Sequence, residues 1–147
     1  MSKKIITICC SAAFYKHAAE LSDELKAKGY KVIIPSTAHK MRANNDYEVN
    51  HYKTWYKNAK DFTKKRSLMD GHFAEVEKAD AILVINDEKK GIKGYIGPNG
   101  LMEMALAYYL RKPIFILNKV PKTNSVYEEA HGMGNIMLDG DVSKIDL

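Results

Sequence analysis

A three-layer α/β domain, with an open and mostly parallel sheet covered by helices on both faces, is the fold this sequence predicts. Short apolar runs alternate with segments whose apolar residues recur at helical spacing. One of these runs, AILVI at 81–85, is apolar without interruption, as a strand buried on both faces should be. The 147 residues amount to one domain's length, and no linker, internal repeat or composition shift divides them.

The first strand is the β-branched run KIITICC at 4–10. Residues 14–28 then carry Phe14, His17, Ala18, Leu21, Leu25 and Lys28 at helical spacing, and Gly29 ends that helix. KVII at 31–34 is the second strand, closed by Pro35, and the polar residues 36–45 read as a loop. From about Asp46 to Lys78 the pattern is helical, with a break expected near Asp70-Gly71 and a stripe through Tyr52, Trp55 or Tyr56, Ala59, Phe62, Phe73 and Val76. After the strand at 81–85 come a polar, glycine-bearing loop at 86–98, a helix at 99–111, and Lys112-Pro113 leading into a strand at 114–118. A short helix around 125–131 and a last strand at 135–138 complete the chain. This alternation is the order of a Rossmann-like or flavodoxin-like domain. Such sheets bind ligands outside the carboxyl ends of their strands. That rule points to the turns at 10–15 and 35–39, the loop at 86–99, and Asn118 onward.

Composition narrows the function. Hydrophobic residues make up 46% and charged residues 28%, which excludes disordered and low-complexity classes. No apolar run approaches the ~20 residues of a membrane helix, so no membrane role is expected. The basic start followed by a short β-branched run reads as a first strand and not a signal peptide, which points to the cytoplasm. The formal net charge of +5 leans toward a small anionic ligand. Nucleic acid is disfavoured as a partner, because scattered lysines are the usual solvated surface. Between 47 and 66, aromatics alternate with lysines, which would suit base stacking and phosphate neutralisation. The favoured reading there is an amphipathic helix with its aromatic stripe inward and its lysines outward, part of which could roof a pocket. The adjacent Cys9 and Cys10 have no metal spacing and read as buried reduced thiols. His39, His51 and His131 show no ligand spacing either.

The stretch 94–111 carries the most chemical information. Gly94, Gly97, Pro98 and Gly100 precede a helix whose free N–H groups can face an anion or a sugar. No Gly-Lys-Ser/Thr follows, and the first strand does not end in a dinucleotide fingerprint, so both nucleotide-loop motifs are excluded. Glu103 stands out in a helix otherwise built from Leu101, Met102, Met104, Ala105, Leu106 and Ala107. It either complements the helix dipole from the first turn or, being unable to reach water easily, is paired or functional.

The element order, the segment ADAILVIND at 79–87, and a Glu in a glycine-rich helix opening followed by an alanine-rich helix, Lys112-Pro113 and an apolar strand resemble the nucleoside 2-deoxyribosyltransferase-like family. That family includes nucleoside deoxyribosyltransferases and deoxynucleoside 5′-monophosphate N-glycosidases. The resemblance covers about residues 4–118 and is best at 79–118. It implies that Glu103 attacks the anomeric carbon of the sugar and displaces the base, and that another base or water then takes the sugar from the glycosyl–enzyme intermediate. It implies no metal or organic cofactor, a small-molecule nucleoside or nucleotide as partner, and a homo-oligomer, a dimer or larger. The helix 101–110, with Met102, Met104, Tyr108 and Tyr109, offers a surface for that assembly.

Two positions depart from the family pattern. Where members usually carry an Asp eight residues before Asp80, this chain has His72, which could protonate the leaving base or be an ordinary helix residue. Where many have an Asp or Ser six residues before the nucleophile, this chain has Gly97, whose role Asn99 or backbone N–H groups could take over. Ser11 matches the family's substrate-binding turn or simply starts a helix, and Phe14 and Tyr15 could stack on a base. Asn86 and Asp87 end the third strand at the ligand edge, as ligand contacts or as turn residues. Asn118 ends the fourth strand and could meet the ligand or a neighbouring subunit, whereas Asp80 reads as structural. The alternative to an enzyme is a non-catalytic nucleotide-binding or sensor module on the same fold, with His72 and Gly97 marking lost chemistry.

Overall fold

The two longest strands form the centre of the sheet. In the computed structural model, which describes residues 2–147, β1 (Ile5–Cys10) pairs in parallel with β3 (Ala81–Ile85), from Ile6 opposite Ala81 to Cys10 opposite Ile85. β2 (Lys31–Ile33) flanks β1, while β4 (Ile114–Ile116) and β5 (Ile136–Met137) extend the other side. The order is β2-β1-β3-β4-β5 with every pairing parallel. It is a single-domain three-layer α/β fold, as the alternating pattern predicts.

Strand alternation separates two cores. Ile6, Ile8 and Cys10 of β1 and Ala81, Leu83 and Ile85 of β3 face α1 (Tyr15–Ala27) and α2 (Ser36–Asn44). Cys9 of β1 and Ile82 and Val84 of β3 face α3 (Phe62–Lys78), α4 (Pro98–Tyr109) and α5 (Tyr127–Gly132). Both sets are buried, which is why β3 carries no polar residue on either face. The Asp80 carboxylate accepts the Ile5 N–H at 2.7 Å and ties the start of β3 to the start of β1. No helix is long and apolar enough to cross a membrane.

Two segments differ from expectation. Residues 36–45 were expected to form a loop, yet Ser36–Asn44 is the helix α2. Pro35 supplies the extended backbone before it, and Asn45 closes it in the left-handed region at φ 48°. Only Ala38 and Met41 of α2 are buried, so its apolar stripe is too narrow to show in a polar sequence. The helix expected from Asp46 to Lys78 begins only at Phe62 and passes through Gly71 unbroken. Before it the chain makes two 3₁₀ turns, Val49–His51 and Ala59–Asp61. The Glu48 and Asn58 side chains bond the backbone N–H groups of Asn50 and Lys60, which offers the chain an alternative to α-helix. In this irregular segment Trp55 turns inward, while Tyr56 and, at the start of α3, Phe62 are exposed.

Candidate active site

α4 positions the singular carboxylate. Gly97 is its N-cap and Pro98 its first residue, so Glu103 lies in the second turn and not the first. A dipole role fades beyond the first turn. Glu103 is 5% exposed on a helix that packs against the sheet, and its Oε1 stands 3.6 Å from Nδ1 of His72 on α3. Among the described residues no Lys or Arg forms an ion pair with it. The other ring nitrogen of His72, Nε2, is buried and has no hydrogen-bond partner.

The neighbours of this pair register its charge. Burial first, and the Glu103 carboxylate second, push the Cys9 thiol well above its ordinary value. Burial likewise raises the Cys10 thiol, with Glu103 again the next cause. Glu75, one turn beyond His72 on α3, is also raised, first by burial, with His72 opposing and Glu103 adding to the shift. Both thiols are free.

Beside the pair, at the carboxyl ends of β1, β2 and β3, lies a cleft. His72 lines it, as does Gly100, which precedes Glu103 by one turn on the same face of α4 and adds no side chain there. Glu103 itself sits behind this wall. Ser11 reaches the cleft from just after β1, Tyr15 from the start of α1, Thr37 and Met41 from α2, and Trp55 from the segment before α3. Burial pushes the Tyr15 phenol far up, so it acts only as a neutral hydroxyl. Gly97 and Asn99 line the opposite side at the opening of α4, and the Asn99 Oδ1 accepts the Lys65 ammonium at 2.9 Å.

The remaining candidates do not line the cleft. Phe14 is buried in the core, edge-on to Tyr95 with ring centroids 6.3 Å apart. Asn86 is fully buried and makes a two-way clamp on Asn118: its Nδ2 donates to the Asn118 carbonyl at 2.7 Å and its Oδ1 accepts the Asn118 N–H at 2.8 Å. Asp87 pairs with His17 at 2.7 Å and accepts from the Asn118 side chain at 3.2 Å. These three polar residues join the ends of β3 and β4, a tie whose partners lie 31 or 32 positions apart in sequence.

The cleft residues not singled out as site candidates by the sequence include Tyr95, Lys53, Lys65 and Lys89. Lys65 lies within the aromatic and basic stretch 47–66 but was expected to face solvent. Instead it is half-buried, with its Nζ 5.6 Å from the centre of the Trp55 ring. Lys89 carries no periodic signal, because it sits in the turn closed by the Lys89–Ile92 bridge. Among the described residues no three His, Cys, Asp or Glu side chains come together as a metal site. No protein-family model matches the sequence, and no curated protein matches it.

Proposed function

We propose that this chain cleaves or transfers the N-glycosidic bond of a nucleoside or nucleoside 5′-monophosphate, with Glu103 as nucleophile and His72 as the proton donor to the leaving base. One observation carries the reading: a carboxylate buried in an apolar helix, beside a cleft, has a histidine as the only basic side chain within 4 Å among the described residues. A structural glutamate at such a depth is normally neutralised by Lys or Arg or tied by several hydrogen bonds.

The chemistry follows the logic of a retaining glycosidase. The Glu103 carboxylate forms a bond to C1′ as the C1′–N bond breaks. The electron pair of that bond leaves with the base, which takes a proton from His72. Water or a second base then attacks C1′ from the face the first base left, gives its proton to the neutral His72 imidazole, and Glu103 departs as carboxylate. The imidazole suits the proton step because Nδ1 faces the carboxylate while Nε2 has no other partner. Trp55 and Tyr95 provide aromatic surface along the cleft for a base.

The test is release of free base from a panel of ribo- and deoxynucleosides and their 5′-monophosphates. The wild-type chain is expected to release base from at least one, and Glu103→Ala to lose that activity by about 10³-fold or more with its melting temperature retained. Absence of release from the whole panel overturns the reading. Glu103's place behind the cleft wall favours a second reading, a non-catalytic nucleotide-binding module; ligand-induced thermal stabilisation without turnover would mark it. The resemblance further proposes a homo-oligomer, supported by Tyr108, Tyr109 and Met102 lying exposed on α4. The two free buried thiols suit a reducing, cytoplasmic setting.

A further inference from the structure

Three lysines from three separate segments converge on the cleft: Lys53 after the Val49–His51 turn, Lys65 on α3 and Lys89 in the loop after β3. Two of them are held by neutral groups. Lys65 donates to Asn99 Oδ1 at 2.9 Å, and Lys89 donates to Ser11 Oγ at 3.1 Å while its Nζ lies 4.9 Å from the centre of the Tyr95 ring. Among the described residues none of the three has a carboxylate within ion-pair distance, whereas Arg42 and Lys64 on the outer surface pair with Asp23 and Asp61. All three are partly buried. They also sense one another: Lys53 is held below the ordinary lysine value by burial first and by the Lys89 and Lys65 ammoniums next.

Like charges gathered in a half-buried cleft with no carboxylate at ion-pair distance repel one another and lose hydration, a cost that a bound anion offsets. The same cleft holds the opening of α4, a 12-residue helix whose N-cap, Gly97, makes no side-chain capping bond. The first N–H groups of α4 therefore add a partial positive charge to the lysines. Asn99 and Ser11 fix the directions of two long, flexible side chains, which lowers the entropy lost when they close on an anion.

We infer that Lys53, Lys65 and Lys89 form an anion subsite that takes the phosphate of a phosphorylated ligand in this cleft. Placing the ligand's sugar toward Glu103 rests on the proposed function; the location of the phosphate does not. A phosphate monoester carries a charge of about −1.5 to −2 at neutral pH and offers three acceptor oxygens, enough for each lysine to meet one.

The experiment compares, at low salt, the binding of four deoxynucleosides and their 5′-monophosphates to Glu103→Gln, which holds ligand without turning it over. At least one monophosphate is expected to bind tenfold or more tightly than its nucleoside, and inorganic phosphate is expected to compete with it. In the double variants that add Lys65→Gln or Lys89→Gln, the ratio should collapse toward one, while adding Lys65→Arg should preserve most of it. Equal affinity for nucleoside and monophosphate, a ratio indifferent to the lysine substitutions, or no binding of any phosphorylated probe overturns the subsite. The two proposals fail separately. Base release by wild type from nucleosides with no phosphate preference removes the subsite and leaves Glu103's role. Lysine-dependent monophosphate binding without base release removes Glu103's role and leaves the subsite.

Discussion

Glu103 is set apart by the company it lacks: one histidine at 3.6 Å and no cation closing the pair. Most other acids are conventional surface carboxylates, and they determine the response to acid. Asp23 is held below the ordinary carboxylate range by the Arg42 guanidinium, Asp46 first by the Glu48 N–H, Asp61 first by the Thr54 hydroxyl and Asp141 first by Ser143. A carboxylate with a lower pKa folded than unfolded adds stability above its unfolded value, about 3.9 for Asp, and loses it as pH falls through the folded value. Glu75 has the opposite sign, because burial raises it. Its charge weakens the fold above the raised folded value, and that penalty is gone below its unfolded value of about 4.3. The melting temperature of the wild type is therefore expected to fall as pH drops below about 4. Glu75→Gln should raise it by about 2 °C at pH 7, a gain that vanishes near pH 4. Thermal melts across pH check both signs.

At the scale of elements, the loop between β3 and α4 shapes the cleft through two glycines with different reasons to be there. Gly94 has φ +63°, and a Cβ on it would run into the Lys119 carbonyl oxygen. The loop is pinned there by Asn124, which donates to the Gly94 carbonyl at 2.9 Å. Gly94→Ala is expected to cost about 2 kcal/mol or more, read as a lower denaturation midpoint, and to weaken ligand binding because Tyr95 and Gly97 follow directly. Gly97 has extended backbone, φ −80°, and a Cβ there comes no nearer than 3.4 Å to the Tyr95 ring. Gly97→Ser should fold with unchanged or slightly higher stability, since Ser is a good N-cap. A midpoint falling by more than 1 kcal/mol would show that the glycine is required by the backbone. α2 teaches the complementary lesson: a helix with two buried residues reads as a loop, yet it supplies Thr37 and Met41 to the cleft.

For the whole molecule, strand order decides where a ligand can sit. The chain moves from β1 outward to β2, then crosses to β3 on the other side, so the loops after β1 and β3 diverge and leave a crevice between them. Ser11 and Lys89, 78 positions apart, meet across it at 3.1 Å. Away from the cleft, Tyr109 is 80% exposed at the end of α4. If copies of the chain associate through this face, Tyr109→Lys should lower the mass measured by sedimentation, and an unchanged mass would exclude the face. Much of this architecture was legible in the sequence: β1 in a β-branched run, β3 and β4 in uninterrupted apolar runs, α4 in its glycine and proline opening, and Glu103 as the misfit within it. Those features are local, because periodicity and capping chemistry act within a few residues. The tertiary structure alone decided that Asn86 and Asn118 clamp strands, that Phe14 fills the core, and that Lys53 and Lys65, from a stretch that reads as solvated, gather with Lys89 in one cleft. Each of these depends on contacts between residues tens of positions apart, which strand order and packing create and no local pattern encodes.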